Sequence, residues 1–150
     1  MPTPHKPTPR WQPIASLPLV AHVIDGQLKA AEEQHRLLRL ARPGALDDAT
    51  VERIVRVVTE EVELLAVYDE QLGRWRSGSL TVAQRLEVER LRGQLAHNRD
   101  VDGAVLSLAE QLKATTIDAI LAKSDLELGL EVLTDRSPLF PRDPPRPPQP

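Results

Sequence analysis

The segment VERIVRVVTEEVELLAVYDEQL, residues 51–72, decides the fold class because its apolar side chains return every seven residues. The positions of this stripe are Val51, Val55, Val58, Val62, Leu65, Asp69 and Leu72, and Asp69 is the one polar residue among them. A seven-residue repeat places them along one side of a helix and is typical of coiled-coil-like packing against a neighbour. We predict a long helix that begins at Asp47 and Asp48, whose carboxylates suit a helix N-terminus.

A second long helix precedes this one. Its apolar residues step by three and four from Leu17 to Leu38, which is the spacing of one helical face. We predict that it begins at Ser16 or Leu17 and ends at residue 41 or 42, where Pro43-Gly44 stops it.

A third long helix follows a turn at residues 77–79. Thr81 and Gln84 form a capping-box signature at its start. In its middle, Asn98 and Asp102 take positions that the apolar stripe would assign to hydrophobic residues. The sequence therefore predicts a kink or break between residues 97 and 103.

The C-terminal part is less regular. Thr115 and Asp118 predict a short helical segment to Lys123, and Ser124 with Glu127 predicts a second capped start. Residues 126–133 also alternate like a strand. No other segment resembles a strand that could pair with them, so we interpret them as helix.

Proline is segregated to the two ends of the chain. Twelve of the 14 prolines lie between Pro2 and Pro13 or between Pro138 and Pro150, which leaves residues 14–134 free for long helices. The sequence predicts an all-α fold, an antiparallel bundle of three long helices plus a short C-terminal helix. It predicts disordered proline-rich tails over residues 1–13 and 135–150.

Charge and cysteine content bear on which partners and which cellular location to expect for this protein. The 150 residues include no cysteine and carry a net charge of −3, and residues 14–134 alone carry −6. An acidic core argues against nucleic acid as a partner, and the lack of cysteine favours a cytoplasmic location. No apolar run approaches the ~20 residues of a membrane span, so we expect no membrane partner.

Two motifs fall short of a metal site. Glu32 and His35 have the Glu-x-x-His spacing of di-iron bundles, but no second such pair occurs. Residues 98–103 match the start of an EF-hand loop, yet Ala109 stands where the bidentate glutamate belongs. No nucleophile elbow or phosphate-binding glycine loop is present either. We predict a protein that is not an enzyme and uses no metal or cofactor.

Polar residues that interrupt the apolar stripes are expected to pair with one another across the core. If the three long helices stack antiparallel, His35 lies level with Asp102, and His22 lies level with Asp69 and Arg85. We expect these groups to form structural hydrogen-bonded pairs across the core.

Arginine and tryptophan concentrate near the turn between the second and third helices. Residues 74–99 carry a net charge of +4, whereas residues 47–70 carry −6. Tryptophan and arginine are enriched in interface hot spots. The predicted partner-binding residues are Arg74, Trp75, Arg76, Arg85 and Arg92. In the other interpretation, Trp75 closes the end of the core and the arginines pair with nearby acids.

These patterns predict a non-enzymatic helical-bundle protein that acts through protein–protein interaction or self-association. The alternative is a nucleic-acid-associated regulatory protein that uses the arginine-rich third helix or residues 108–127, which have features of a divergent helix-turn-helix. Asp118, Asp125 and Glu127 oppose Lys123 on its recognition helix, a charge that phosphate would repel.

Overall fold

The computed structural model of the chain describes residues 10–135, which contain helices and no strand. A 3₁₀ turn, Ile14–Ser16, leads into α1 (Leu17–Leu40), followed by α2 (Asp48–Arg76), α3 (Val82–Leu112), a 3₁₀ turn (Lys113–Thr115) and α4 (Ile117–Asp135). The predicted all-α class is confirmed for this part of the chain. Most of each predicted tail, residues 1–9 and 136–150, lies outside the described residues.

The helix starts follow the capping residues. Asp47 accepts a hydrogen bond from the Thr50 amide at 2.7 Å, and Thr81 accepts one from the Gln84 amide at 3.1 Å. The Gln84 side chain accepts in return from the Thr81 amide at 3.0 Å, which completes the capping box. Both predicted starts are confirmed within one residue.

Ion pairs between helices show which way each helix runs. Asp25 and Glu32 of α1 contact Arg90 and His97 of α3, so the residue numbers rise together and the two helices are parallel. Arg76 of α2 contacts Glu89 of α3, and Asp69 contacts Arg99, so these two helices are antiparallel. Both α1 and α2 pack along α3, and direct contact between α1 and α2 is slight.

The apolar core has two parts. The larger part joins the first half of α1, the second half of α2 and the first half of α3. Its buried members are Leu17, Val20, Ala21, Ile24, Leu65, Leu72, Trp75, Val88, Leu91 and Leu95. The smaller part, at the other end of the helices, consists of Leu38, Val58 and Val105. The seven-residue stripe of α2 supplies residues to both.

A buried polar pair on α3 lies between these two parts in the sequence. Asn98 and Asp102 are 2% and 1% exposed, and the Asn98 amide donates to Asp102 Oδ2 at 3.2 Å. Asn98 Oδ1 and Asp102 Oδ1 are both buried, and neither has a hydrogen-bond partner among the described residues. Burial, with a smaller contribution from Glu61 on α2, raises the pKa of Asp102 to about 6. The predicted break was wrong, because α3 continues through these residues as one helix.

The predicted histidine pairs were also wrong. Asp102 is bonded to Asn98 on its own helix, and His35 has no hydrogen bond among the described residues. His22 is exposed, and Asp69 pairs with Arg99 at 3.5 Å. Facing side chains of α1 and α3 are 65 residues apart at two levels. His35 is half-buried and borders a surface depression together with Glu32, Arg36 and Arg39.

The C-terminal helix is longer than predicted. α4 is a single helix of 19 residues, with no second start at Ser124. Thr116 caps it, since its hydroxyl accepts from the Ala119 amide at 3.2 Å and donates to Asp48 of α2 at 2.6 Å. None of the described helices, α4 included, has the length and apolar character that crossing a bilayer requires.

We predict that Asp102→Asn stabilises the protein at pH 8 and that this gain disappears towards pH 4. A carboxyl whose pKa is raised on folding favours the protonated form in the native state. Its cost therefore accumulates as the pH rises from the unfolded value of 3.8 to about 6. At full ionisation the cost approaches ~3 kcal/mol. Urea unfolding of both proteins from pH 4 to pH 8 measures it.

The matched control is Asp100→Asn, which removes an exposed carboxylate two residues away on the same helix. A stability difference between Asp102→Asn and the parent that stays constant from pH 4 to pH 8 would contradict the assignment.

Candidate interaction surface

Residues 10–13, here called the strap, cross the C-terminal end of α2. The carbonyl of Gln12 accepts from the Trp75 indole at 2.9 Å and from the Gln71 amide group at 3.3 Å. The Gln12 backbone amide donates to Gln71 Oε1 at 2.7 Å. Three hydrogen bonds thus attach the strap to α2, within the stretch that the sequence analysis assigned to the N-terminal tail.

An apolar cleft of about 350 Å³ lies between α1 and α2 and is bordered at one end by the strap. The backbones of α1 and α2 approach each other at fewer points than either approaches α3. The residues that line this α1–α2 cleft are Arg10, Trp11, Gln12, Leu19, Val20, Val23, Leu64, Val67, Tyr68 and Gln71. Leu19 is 66% exposed and Leu64 is 40% exposed, so the rim presents apolar surface to solvent.

The strap end of the cleft is cationic. The guanidinium carbon of Arg74 lies 4.1 Å from the centroid of the Trp11 ring, a cation–π contact. The same guanidinium is 3.3 Å from Glu70, one turn earlier on α2. Arg10 is the charged side chain among the residues that line the cleft. This end therefore combines an aromatic face with two arginines.

The predicted partner-binding residues do not form one patch. Trp75 is 7% exposed and belongs to the larger part of the core. Arg76 and Arg92 both contact Glu89, at 2.9 and 3.6 Å. Arg85 is exposed. Of the five residues, Arg74 alone adjoins the α1–α2 cleft, through Trp11.

Charged side chains line the seam between α1 and α3. Asp25 accepts from Arg90 at 2.8 and 3.0 Å, and this guanidinium lowers the pKa of the Asp25 carboxyl. Glu32 lies 3.0 Å from His97. Residues 10–135 contain no group of three histidine, aspartate or glutamate side chains placed to hold a metal ion.

Sequence reasoning missed the cleft because its lining residues are divided between the core stripe and the side next to it. Leu64 and Val67 are neighbours of Leu65 but lie off the seven-residue repeat of α2. Leu19 and Val23 lie off the stripe of α1 in the same way. Apolar residues beside a stripe indicate a wider hydrophobic face. This is the sequence feature from which the cleft could have been predicted. Nothing in the local pattern indicates that Trp11 closes the cleft.

The chain matches no protein-family model, and neither the curated proteins nor the solved structures gave a significant match.

We predict that Trp75→Ala lowers the free energy of unfolding by about 3–5 kcal/mol, the range for removing a large buried side chain. The reason is that its ring fills the core and its indole holds the strap. Chemical unfolding followed by circular dichroism measures the change.

The control for this prediction is Arg85→Ala at an exposed position, expected to change stability by no more than about 0.5 kcal/mol. If Trp75→Ala proves as mild as Arg85→Ala, the indole is not part of the core.

Proposed function

We propose that this protein is a non-enzymatic, cytoplasmic helical-bundle protein that acts by protein–protein interaction or self-association, with the α1–α2 cleft as its binding site. The observation that carries the proposal is the apolar cleft between two long helices with exposed leucines on its rim.

The chemistry of the lining supports docking. Apart from Arg10, it consists of aliphatic and aromatic side chains and two glutamines. Burying such a surface yields roughly 25 cal/mol per Å² of apolar area. The arginine and amide groups at the strap end would orient the partner, as a few polar groups do in apolar sites.

The shape supports a helical partner. The cleft is lined on both sides by helices, and an amphipathic helix fits a groove between helices through side chains spaced by three, four and seven residues. Val67 and Leu64 on α2 and Leu19 and Val23 on α1 lie on the two sides of this groove.

The arginines favour protein over nucleic acid as the partner. Nucleic-acid association needs cations that are available to phosphate. Arg76, Arg90, Arg92 and Arg99 each have a carboxylate within 3.6 Å. These acids would also repel a phosphate backbone.

Site-specific photo-crosslinking in cells tests the proposal. A photoreactive phenylalanine analogue at Val67 lies in the cleft. The same analogue at Leu86, which is 67% exposed on α3, is the matched control. We expect a discrete protein adduct from position 67 and none from position 86, with both variants retaining the parent circular dichroism spectrum.

Equal adducts from both positions would remove the cleft as the binding site. Adducts to nucleic acid alone would support the alternative function.

A further inference from the structure

α4 is exposed to solvent along most of its length. It is attached at its start, where the Ile117 amide donates to the Leu46 carbonyl at 2.8 Å and Thr116 bonds Asp48. Residues 120–130 are all exposed. Its large apolar side chains are 40–68% exposed, and they are Ile117, Ile120, Leu121, Leu126, Leu128, Leu130 and Leu133.

These side chains occupy two opposite sides of α4. At 100° per residue, Ile117, Leu121 and Leu128 share one side, and Leu126 and Leu133 share the other. A helix that is apolar on both sides is normally buried against other protein. Monomeric proteins seldom expose contiguous apolar patches larger than a few hundred Å².

Charge identifies what covers α4. Residues 117–130 contain Asp118, Asp125 and Glu127 against Lys123. Two such acidic helices would repel each other, which disfavours direct pairing of α4 with α4. The α1–α2 cleft has the complementary character, because it is apolar along its length and bears Arg10 and Arg74 at its strap end.

We propose that α4 of one copy of this chain docks in the α1–α2 cleft of a second copy. The inference rests on the proposed function of the cleft and names its occupant. Within one chain, α4 starts beside Asp48, and Leu64 lies 16 residues further along α2, about 24 Å away. The chain therefore carries an apolar acidic helix at one end and an apolar cationic cleft at the other.

The charges set the direction of docking. Lys123 and Glu127 lie four residues apart on one edge of α4, and Glu70 and Arg74 lie four residues apart beside the cleft. Both pairs span about 6 Å along a helix. With α4 parallel to the partner's α2, lysine meets glutamate and glutamate meets arginine at both positions.

The exchange is reciprocal in a two-fold symmetric dimer. Each copy then donates one α4 and receives one, so the cleft and one apolar side of α4 are covered in both copies, without leaving an open end for further growth.

Sedimentation velocity over a concentration series tests this proposal on the full chain. We expect the parent to sediment as a dimer. Leu64→Glu in the cleft and Leu128→Glu in α4 should each weaken dimerisation at least about tenfold, since each places a carboxylate in an apolar contact. Leu86→Glu, the same change at an exposed position on α3, should leave it unchanged.

Mixing the Leu64→Glu and Leu128→Glu variants distinguishes a dimer formed by exchange of α4 from a dimer formed in another way. The Leu64→Glu copy retains its α4, and the Leu128→Glu copy retains its cleft. The mixture should therefore associate more tightly than either variant alone. Dimers formed by two α4 helices or by two clefts would show no such rescue, and its absence overturns the exchange.

A charge reversal checks the register. Glu127→Arg and Arg74→Glu should each weaken the dimer, and the double variant should recover affinity over either single one. A parent that stays monomeric overturns the inference. If position 67 still crosslinks to another protein in that case, the proposed function of the cleft stands with a different occupant.

Discussion

The packing of α3 against both neighbours is the interaction on which the rest of the molecule depends. Val88, Leu91, Leu95 and Val105 are all 0% exposed, so the apolar stripe of α3 is completely buried. Both α1 and α2 bury their stripes against this helix, and their backbones approach each other at few points. The α1–α2 cleft is the space that this arrangement leaves, and the strap covers one end of it.

The same central helix contains the least favourable part of the core. Asn98 and Asp102 satisfy one hydrogen bond between them and leave two buried oxygens without a partner. Unpaired buried polar groups cost free energy, and such residues are often retained because they restrict the packing to one register. Here the cost falls near the middle of α3, away from the cleft and from α4. The regions proposed to bind a partner are instead apolar and exposed. Their unfavourable free energy comes from contact of apolar surface with water, and docking removes that contact.

Much of the helical framework was predictable because its signals are local. The capping residues Asp47 and Thr81 act through amides two or three positions away, so their effect is readable in the sequence. The break predicted in α3 is absent because the regularity of a helix comes from its backbone hydrogen bonds. Backbone hydrogen bonds do not require apolar side chains, and residues four apart, such as Asn98 and Asp102, can bond each other on one face. At Ser124 no helix breaker precedes the capping pattern, and α4 runs through it.

The sequence by itself determined the class, the starts of the three long helices and their apolar stripes, because these depend on contacts within a few residues. Only the tertiary structure decided which side chains meet. The sequence left both partner binding and closure of the core open for Trp75. In the structure it lies in the core, and its indole bonds the strap through Gln12, 63 residues away. The predicted pairs of His35 and His22 do not form, because their expected partners are engaged elsewhere. Asp102 bonds Asn98 on its own helix, and Asp69 pairs with Arg99. The cleft belongs to the same category, since it arises from two helices sharing a third.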